Sequence, residues 1–123
     1  MSYDATYAEW QADPVAFWGK AARDIDWFTP AISVFNPDSG VYGRWFDGAT
    51  CNTCYNCVDR HVLAGQGDQT AVIYDSPVTG QVQRFNYAEL LDQVSALAAV
   101  LCNLGVSHGD RVVIYMPMVP QAT

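Results

Sequence analysis

Basic residues are scarce in this 123-residue chain. Six Lys and Arg stand singly, at Lys20, Arg23, Arg44, Arg60, Arg84 and Arg111, against 13 acidic residues, for a net charge of −7. No basic patch is available to displace counterions from a phosphate backbone, which argues against nucleic-acid binding. Long apolar runs are also lacking, which excludes a membrane-spanning helix. The opening Met1-Ser2-Tyr3-Asp4 has neither the basic nor the apolar region of a secretion signal. The four cysteines are therefore expected to be reduced, in a cytoplasmic setting. No internal repeat and no low-complexity tract occurs. Neither Gly-x-x-x-x-Gly-Lys nor Gly-x-Gly-x-x-Gly is present, so no phosphate-cradling loop is encoded.

What is present is apolar. Half of the residues are hydrophobic, enough for a core, in a chain that makes one domain at most or a piece of one. Tyr3, Tyr7 and Trp10 fall on one face of a first helix. Asp13 is placed to cap a second, with Pro14 at its first position, where a missing N–H costs nothing. Phe17, Trp18, Ala21 and Ile25 supply the buried side expected of it. Residues 26–50 are punctuated by Pro30, Asn36-Pro37-Asp38, Gly40, Gly43 and Gly48. They also carry Trp27, Phe28, Ile32, Val34, Phe35, Tyr42, Trp45 and Phe46. A solvated linker would not hold so many rings. The reading is an extended arm lying over another surface and burying its rings there.

Residues 51–65 predict a helix, started near Asn52 or Thr53 and ended by Gly65. Gly67-Asp68-Gln69 turns the chain into a strand, Ala71 to Tyr74. Ser76-Pro77 and Thr79-Gly80 give a hairpin loop longer than two residues, returning through Val82 to Phe85. Asn86 is an N-cap, and Glu89 three residues later completes a capping box. Leu90, Leu91, Val94, Leu97, Ala98, Leu101 and Leu104 then form a broad core-facing stripe, and Gly105 sits at the left-handed C′ position. After the turn Gly109-Asp110-Arg111, Val112 to Tyr115 is apolar on both faces, as in a central parallel strand. The helix would be its right-handed crossover. Met116 to Gln121 opens a further helix. The order of elements predicts an α/β fold: N-terminal helices and an extended aromatic arm, then hairpin, helix and strand of a nucleotide-handling domain.

Several clusters have a chemical and a plain reading. Cys51, Cys54 and Cys57 with His61 have the residue types of a zinc or iron–sulfur site. On a helix they would spread along almost two turns, with no Gly or Pro between them, which favours thiols packed as small hydrophobes. Cys57 and His61 are neighbours at i, i+4, but an activated thiolate also needs an electropositive pocket and an orienting group. Asp59-Arg60-His61 is read as a polar network locking the aromatic arm, with Arg60 stacking on Trp45 or Phe46 or pairing a carboxylate. Gly109-Asp110-Arg111 precedes its strand, the wrong end for a phosphate cradle, and is read as a tight turn. Met116 and Met118, beside Pro117, either line a pocket or fill a core, with core packing favoured.

Three segments in order carry a resemblance. They are Arg44-Trp45-Phe46-Asp47-Gly48, Asn52-Thr53-Cys54-Tyr55-Asn56-Cys57-Val58-Asp59-Arg60-His61, and Gly109-Asp110-Arg111-Val112-Val113-Ile114-Tyr115-Met116-Pro117-Met118. Together they resemble the N-terminal region of the AMP-forming short-chain acyl-CoA synthetases, the acetyl-/propionyl-CoA synthetase branch of the adenylate-forming superfamily. Ile25-Asp26-Trp27 and the segment 52–56 lean toward the propionyl-CoA subgroup, while Ala49, Cys51 and Gln121 depart from the family pattern. The resemblance implies a structural rather than metal-binding helix at 51–65. It implies a parent reaction in which ATP and propionate or acetate give an acyl-adenylate that CoA then captures, with ATP, Mg and CoA as cofactors of the parent enzyme.

The family's phosphate loop, ribose carboxylate and catalytic lysine have no counterpart here. No catalytic, cofactor-binding or metal residue is therefore carried over. Trp45, Phe46, Asn56, Asp59, Arg60, His61, Gly109, Asp110, Arg111 and Pro117 are carried over as structural motif residues. Residues 1–65 are expected to be the N-terminal helical and extended segment, and 66–123 the start of the AMP-binding α/β domain. The chain is expected to be inactive alone, with the remainder of a synthetase or a second copy as partner, and no membrane or nucleic acid. The alternatives are a stand-alone module docking through its aromatic arm, or a metal-binding module using the cysteines.

Overall fold

The structure is a computed structural model that describes residues 2–122. The chain divides after Asn56 into two compact units, and the division falls within the helical stretch Tyr55–Asp59.

In the first unit, helix α1 (Tyr3–Ala12) starts on Ser2, whose Oγ accepts from the Ala5 N–H. Asp13 serves two helices. Its N–H donates to the Glu9 carbonyl to close α1, and its Oδ1 accepts from the Ala16 N–H at 2.9 Å to open α2 (Pro14–Ala21). One residue thus satisfies orphan groups of both helix ends. Tyr3 stacks on Tyr7 and Tyr7 on Trp10 along one face of α1, at centroid distances of 5.9 and 5.5 Å. Phe17 is half-buried, while Trp18, Ala21 and Ile25, expected inside, are exposed.

Residues 26–50 are a hairpin rather than the extended arm expected. The segment pairs with itself. Strands β1 (Ser33–Asn36) and β2 (Arg44–Asp47) run antiparallel with Ser33 opposite Asp47, Phe35 opposite Trp45 and Asn36 opposite Arg44. An isolated bridge, Thr29 to Thr50, extends the hairpin, with the two hydroxyls 2.9 Å apart. The Asn36 side chain closes the hairpin loop: its Oδ1 accepts from the Asp38 N–H and its Nδ2 donates to Asp47 Oδ2 at 2.9 Å. Gly43 has φ +70°, and a Cβ there would lie 2.4 Å from the Phe35 ring, so no other residue fits.

The helix expected over 51–65 is present at 53–66, but it is wound largely as π-helix, at Tyr55–Asp59 and Val62–Gln66. Gly65 takes the positive φ expected at a helix end, yet the helical turn runs on to Gln66.

In the second unit, β3 (Thr70–Ser76) and β4 (Gln81–Asn86) form an antiparallel hairpin with a four-residue loop, from the pair Val72–Phe85 to the pair Ser76–Gln81. Helix α3 (Tyr87–Asn103) follows directly. The capping box forms as expected: Glu89 N–H donates to Asn86 Oδ1 at 2.8 Å and Asn86 N–H to Glu89 Oε2 at 3.0 Å. Gly105, at φ +88°, ends the helix in a Schellman motif, with Val106 N–H on the Leu101 carbonyl and Gly105 N–H on the Cys102 carbonyl, both 3.0 Å.

Three expectations fail in this unit. The stripe on α3 is only partly covered: Leu90, Leu91, Val94 and Leu101 are half-buried, whereas Leu97, Ala98 and Leu104 are exposed. Residues 112–115 form no strand, because no described segment of the chain pairs with them. The helix expected from Met116 reduces to a single 3₁₀ turn, Pro120–Ala122.

Burial is correspondingly thin. Among the described residues Val58, at 5% exposure, is the one buried hydrophobic residue. The accessible surface is 9661 Å² for 13.5 kDa. Two separate compact domains of that total mass would together expose only about 7,900 Å².

Candidate functional site

The motif residues of the first unit are built around Asn56, which is 8% exposed. Its Oδ1 accepts from the Asp26 N–H at 2.8 Å, and its Nδ2 donates to the Asp26 carbonyl at 3.1 Å and to the Asn52 carbonyl at 3.0 Å. The side-chain amide thus holds both polar groups of one backbone residue 30 positions away, as a strand neighbour would. Asn52 in turn caps the helix, with Oδ1 accepting from the Tyr55 N–H at 3.0 Å. Next to Asp26, the Trp27 indole donates to the Ala22 carbonyl at 2.8 Å. The Trp27 ring meets Phe46 at 5.4 Å, Phe46 meets Trp45 at 6.1 Å, and Trp45 meets Phe35 at 4.8 Å. Phe46 reaches this ladder from φ +51°, a left-handed conformation uncommon for a bulky residue.

In the second unit His61 is engaged at both its edge and its face. Nδ1 is hydrogen-bonded to Gln66 Oε1 at 3.1 Å, and the ring packs on Tyr87 with centroids 4.7 Å apart. Asp59 and Arg60 are half-buried beside it. Asp110 clamps the turn after α3: its Oδ2 accepts from the Ser107 N–H at 2.8 Å and the Ser107 hydroxyl at 3.1 Å, while Gly109 supplies φ +93°. Arg111 is exposed, and the Pro117 carbonyl accepts from the Val119 N–H at 2.9 Å. The sequence reading quoted Asp26 without its pairing to Asn56, and missed Gln66, Tyr87 and Ser107, the other partners of the singled-out residues. Of these, Tyr87 was readable as the residue after the Asn86 cap.

These arrangements tie residues within each unit to one another. None of the four cysteines is in a disulfide and all four are exposed, so they are not packed as the small hydrophobes expected. Among the described residues no group of three His, Cys, Asp or Glu side chains is gathered where a metal could sit. Helix starts are the usual phosphate sites. Here those of α1, α2 and α3 are filled by Ser2, Asp13 and the Asn86–Glu89 box, and Glu89 adds a carboxylate where an anion would bind. No helix among the described residues is long and apolar enough to cross a membrane.

Comparison with known proteins divides the chain close to its structural boundary. Residues 3–57 match the family described as acetyl-coenzyme A synthetase N-terminus, and residues 59–123 match the AMP-binding enzyme family. The chain is 49% identical over 120 residues to the mitochondrial acyl-CoA synthetase short-chain family member 3 of Homo sapiens, covering 98% of this chain and 18% of that protein. It is 46% identical over 123 residues to the acetyl-coenzyme A synthetase of Xanthobacter autotrophicus, covering 98% of this chain and 19% of that protein. With the acetyl-coenzyme A synthetase of Mycolicibacterium smegmatis it shares 45% identity over 116 residues, 94% of this chain and 12% of that protein. The chain therefore spans less than a fifth of the length of these relatives. By the family match over slightly more than half of its residues, and by these relatives, the chain belongs to the AMP-binding enzymes and corresponds to the N-terminal region of the acetyl- and short-chain acyl-CoA synthetases.

Proposed function

We propose that this chain is the N-terminal scaffold of an AMP-forming short-chain acyl-CoA synthetase and performs no chemistry alone. The parent reaction joins acetate or propionate to CoA at the expense of ATP, through an acyl-adenylate, with Mg as the metal partner of ATP. One observation carries the scaffold role: the helix starts are capped by the chain's own side chains, while the polar motif residues Asn56, His61 and Asp110 are spent on backbone and neighbouring side chains. Groups so engaged position elements; they do not hold a nucleotide. Residues 1–65 serve as the helical and extended head, and residues 66–123 as the start of the AMP-binding domain. Four exposed cysteines, none in a disulfide, fit a reducing compartment such as the cytoplasm.

A chimera tests this reading. Residues 3–123 would replace the matching segment of the Xanthobacter acetyl-coenzyme A synthetase, and acetate and propionate would be compared. A scaffold predicts an active chimera with the host's substrate preference. An altered acetate-to-propionate ratio of kcat/KM would assign acyl selection to this chain, against the proposal.

A further inference from the structure

The sequence holds a single Asp-Gly pair, Asp47-Gly48, and no Asn-Gly. A glycine nitrogen has no side chain beside it, so this is the pair where the main chain most readily attacks an aspartate carboxyl. The fold requires glycine here. Gly48 has φ +74°, and a Cβ on it would lie 3.0 Å from Ile32 Cδ1, so a side chain would be both strained and crowded. The residue that lets the β1–β2 hairpin close therefore also leaves Asp47 open to attack. The same hairpin holds Asp47 on both sides. Ala49 N–H donates to the Phe46 carbonyl at 3.0 Å, closing a turn across the pair, and Ile32 N–H donates to the Asp47 carbonyl at 2.9 Å. Asn36 Nδ2 donates to Asp47 Oδ2 at 2.9 Å, and the Arg44 guanidinium stands 3.8 Å from Oδ1.

We propose that Asp47 is a latent isoaspartate site that the hairpin keeps closed, with Asn36 as its latch. In the reaction the Gly48 nitrogen attacks Asp47 Cγ and forms an N–C bond. The nitrogen's proton and the carboxyl's hydroxyl leave as water. Water then adds to the cyclic imide. Opening at Cγ returns aspartate, whereas opening at the main-chain carbonyl routes the chain through Cβ and Cγ and gives isoaspartate. Water is the only co-reactant, lost and then regained, and Gly48 is exposed to it. The attack needs the Asp47 carboxyl free to turn onto the Gly48 nitrogen and the intervening peptide free to rotate. The hydrogen bonds from Asn36 and Ile32 oppose these two movements, so the reaction waits on local opening of the hairpin. The product then hinders reclosure. Its extra backbone carbon falls between the Ser33–Asp47 pair and the Thr29–Thr50 bridge and puts the two out of register.

The test holds the full chain at neutral pH and physiological temperature for several weeks, in native buffer and in guanidinium chloride. Digestion with a protease that cuts before aspartate but not before isoaspartate, followed by chromatography and mass spectrometry of the peptides, counts the product at each position. Denaturation is expected to speed isoaspartate formation at Asp47 at least about tenfold. Asp38, exposed in the hairpin loop before Ser39, should change less. In native buffer Asn36→Ala should speed the reaction at Asp47 about fivefold, the gain in opening that one lost hydrogen bond gives. Asp75, in β3 of the other unit, should not respond to that variant. The comparison of native and denatured chain stands whether or not Asn36→Ala folds. No isoaspartate at Asp47 in guanidinium chloride would overturn the site. Equal rates with and without denaturant would overturn closure by the hairpin, and an unchanged rate in Asn36→Ala would overturn the latch.

Discussion

Single residues hold the first unit more than its core does. Asn56 binds both backbone groups of Asp26 and is almost fully buried. Asn56→Ala strands those groups and should cost about 2 kcal/mol, read as a lowered midpoint in a urea melt. A shift below a tenth of that would mean water replaces the amide. Glycines separate strain from space. Gly40 and Gly43 both have positive φ, but nothing lies within 4 Å of a Cβ at Gly40, whereas the Phe35 ring blocks one at Gly43. Gly40→Ala should cost about 1 kcal/mol, the left-handed penalty alone. Gly43→Ala should cost clearly more and disturb the Phe35–Trp45 pair, visible in tryptophan fluorescence. Equal losses would remove the steric part of this explanation. None of these partners was readable in advance. The Asn56 amide meets a residue 30 positions away, and sequence spacing reports only near neighbours.

Elements whose signals are local read well, and those that depend on distant chain do not. Both ends of α3 were legible because a capping box and a Schellman motif each lie within a few residues. The aromatic hairpin was not. Its strands are only four residues each, and turn residues spaced through 36–43 read as loop punctuation. The π-winding of 53–66 had no signature either; nothing in Asn52 to Gln66 separates it from an α-helix. Residues 112–115 have the composition of a central strand, but a strand exists only with a neighbour to bond, and the described chain supplies none. At this scale Asn86→Ala should cost about 1 kcal/mol and reduce helical ellipticity, since it removes one half of the box and frees the Glu89 N–H. Unchanged ellipticity would mean that packing on the β3–β4 hairpin, not the cap, sets where α3 begins.

For the molecule as a whole, apolar side chains outnumber the surface available to cover them. Val41, Tyr42, Leu104, Val113, Tyr115 and Met118 are all more than three-quarters exposed. Their number fits a chain that spans less than a fifth of the length of its relatives. The family was legible from three short motifs in order. The surroundings of the motif residues were not, because Asn56, His61 and Asp110 bond to Asp26, Gln66 and Ser107, which those motifs do not contain. The most direct measurement is ATP–pyrophosphate exchange by the purified 123-residue chain, with acetate and with propionate, beside an intact synthetase as reference. No exchange above the protein-free rate is the predicted result. Carboxylate-dependent exchange by the chain alone would contradict it and would place an adenylating site among these residues.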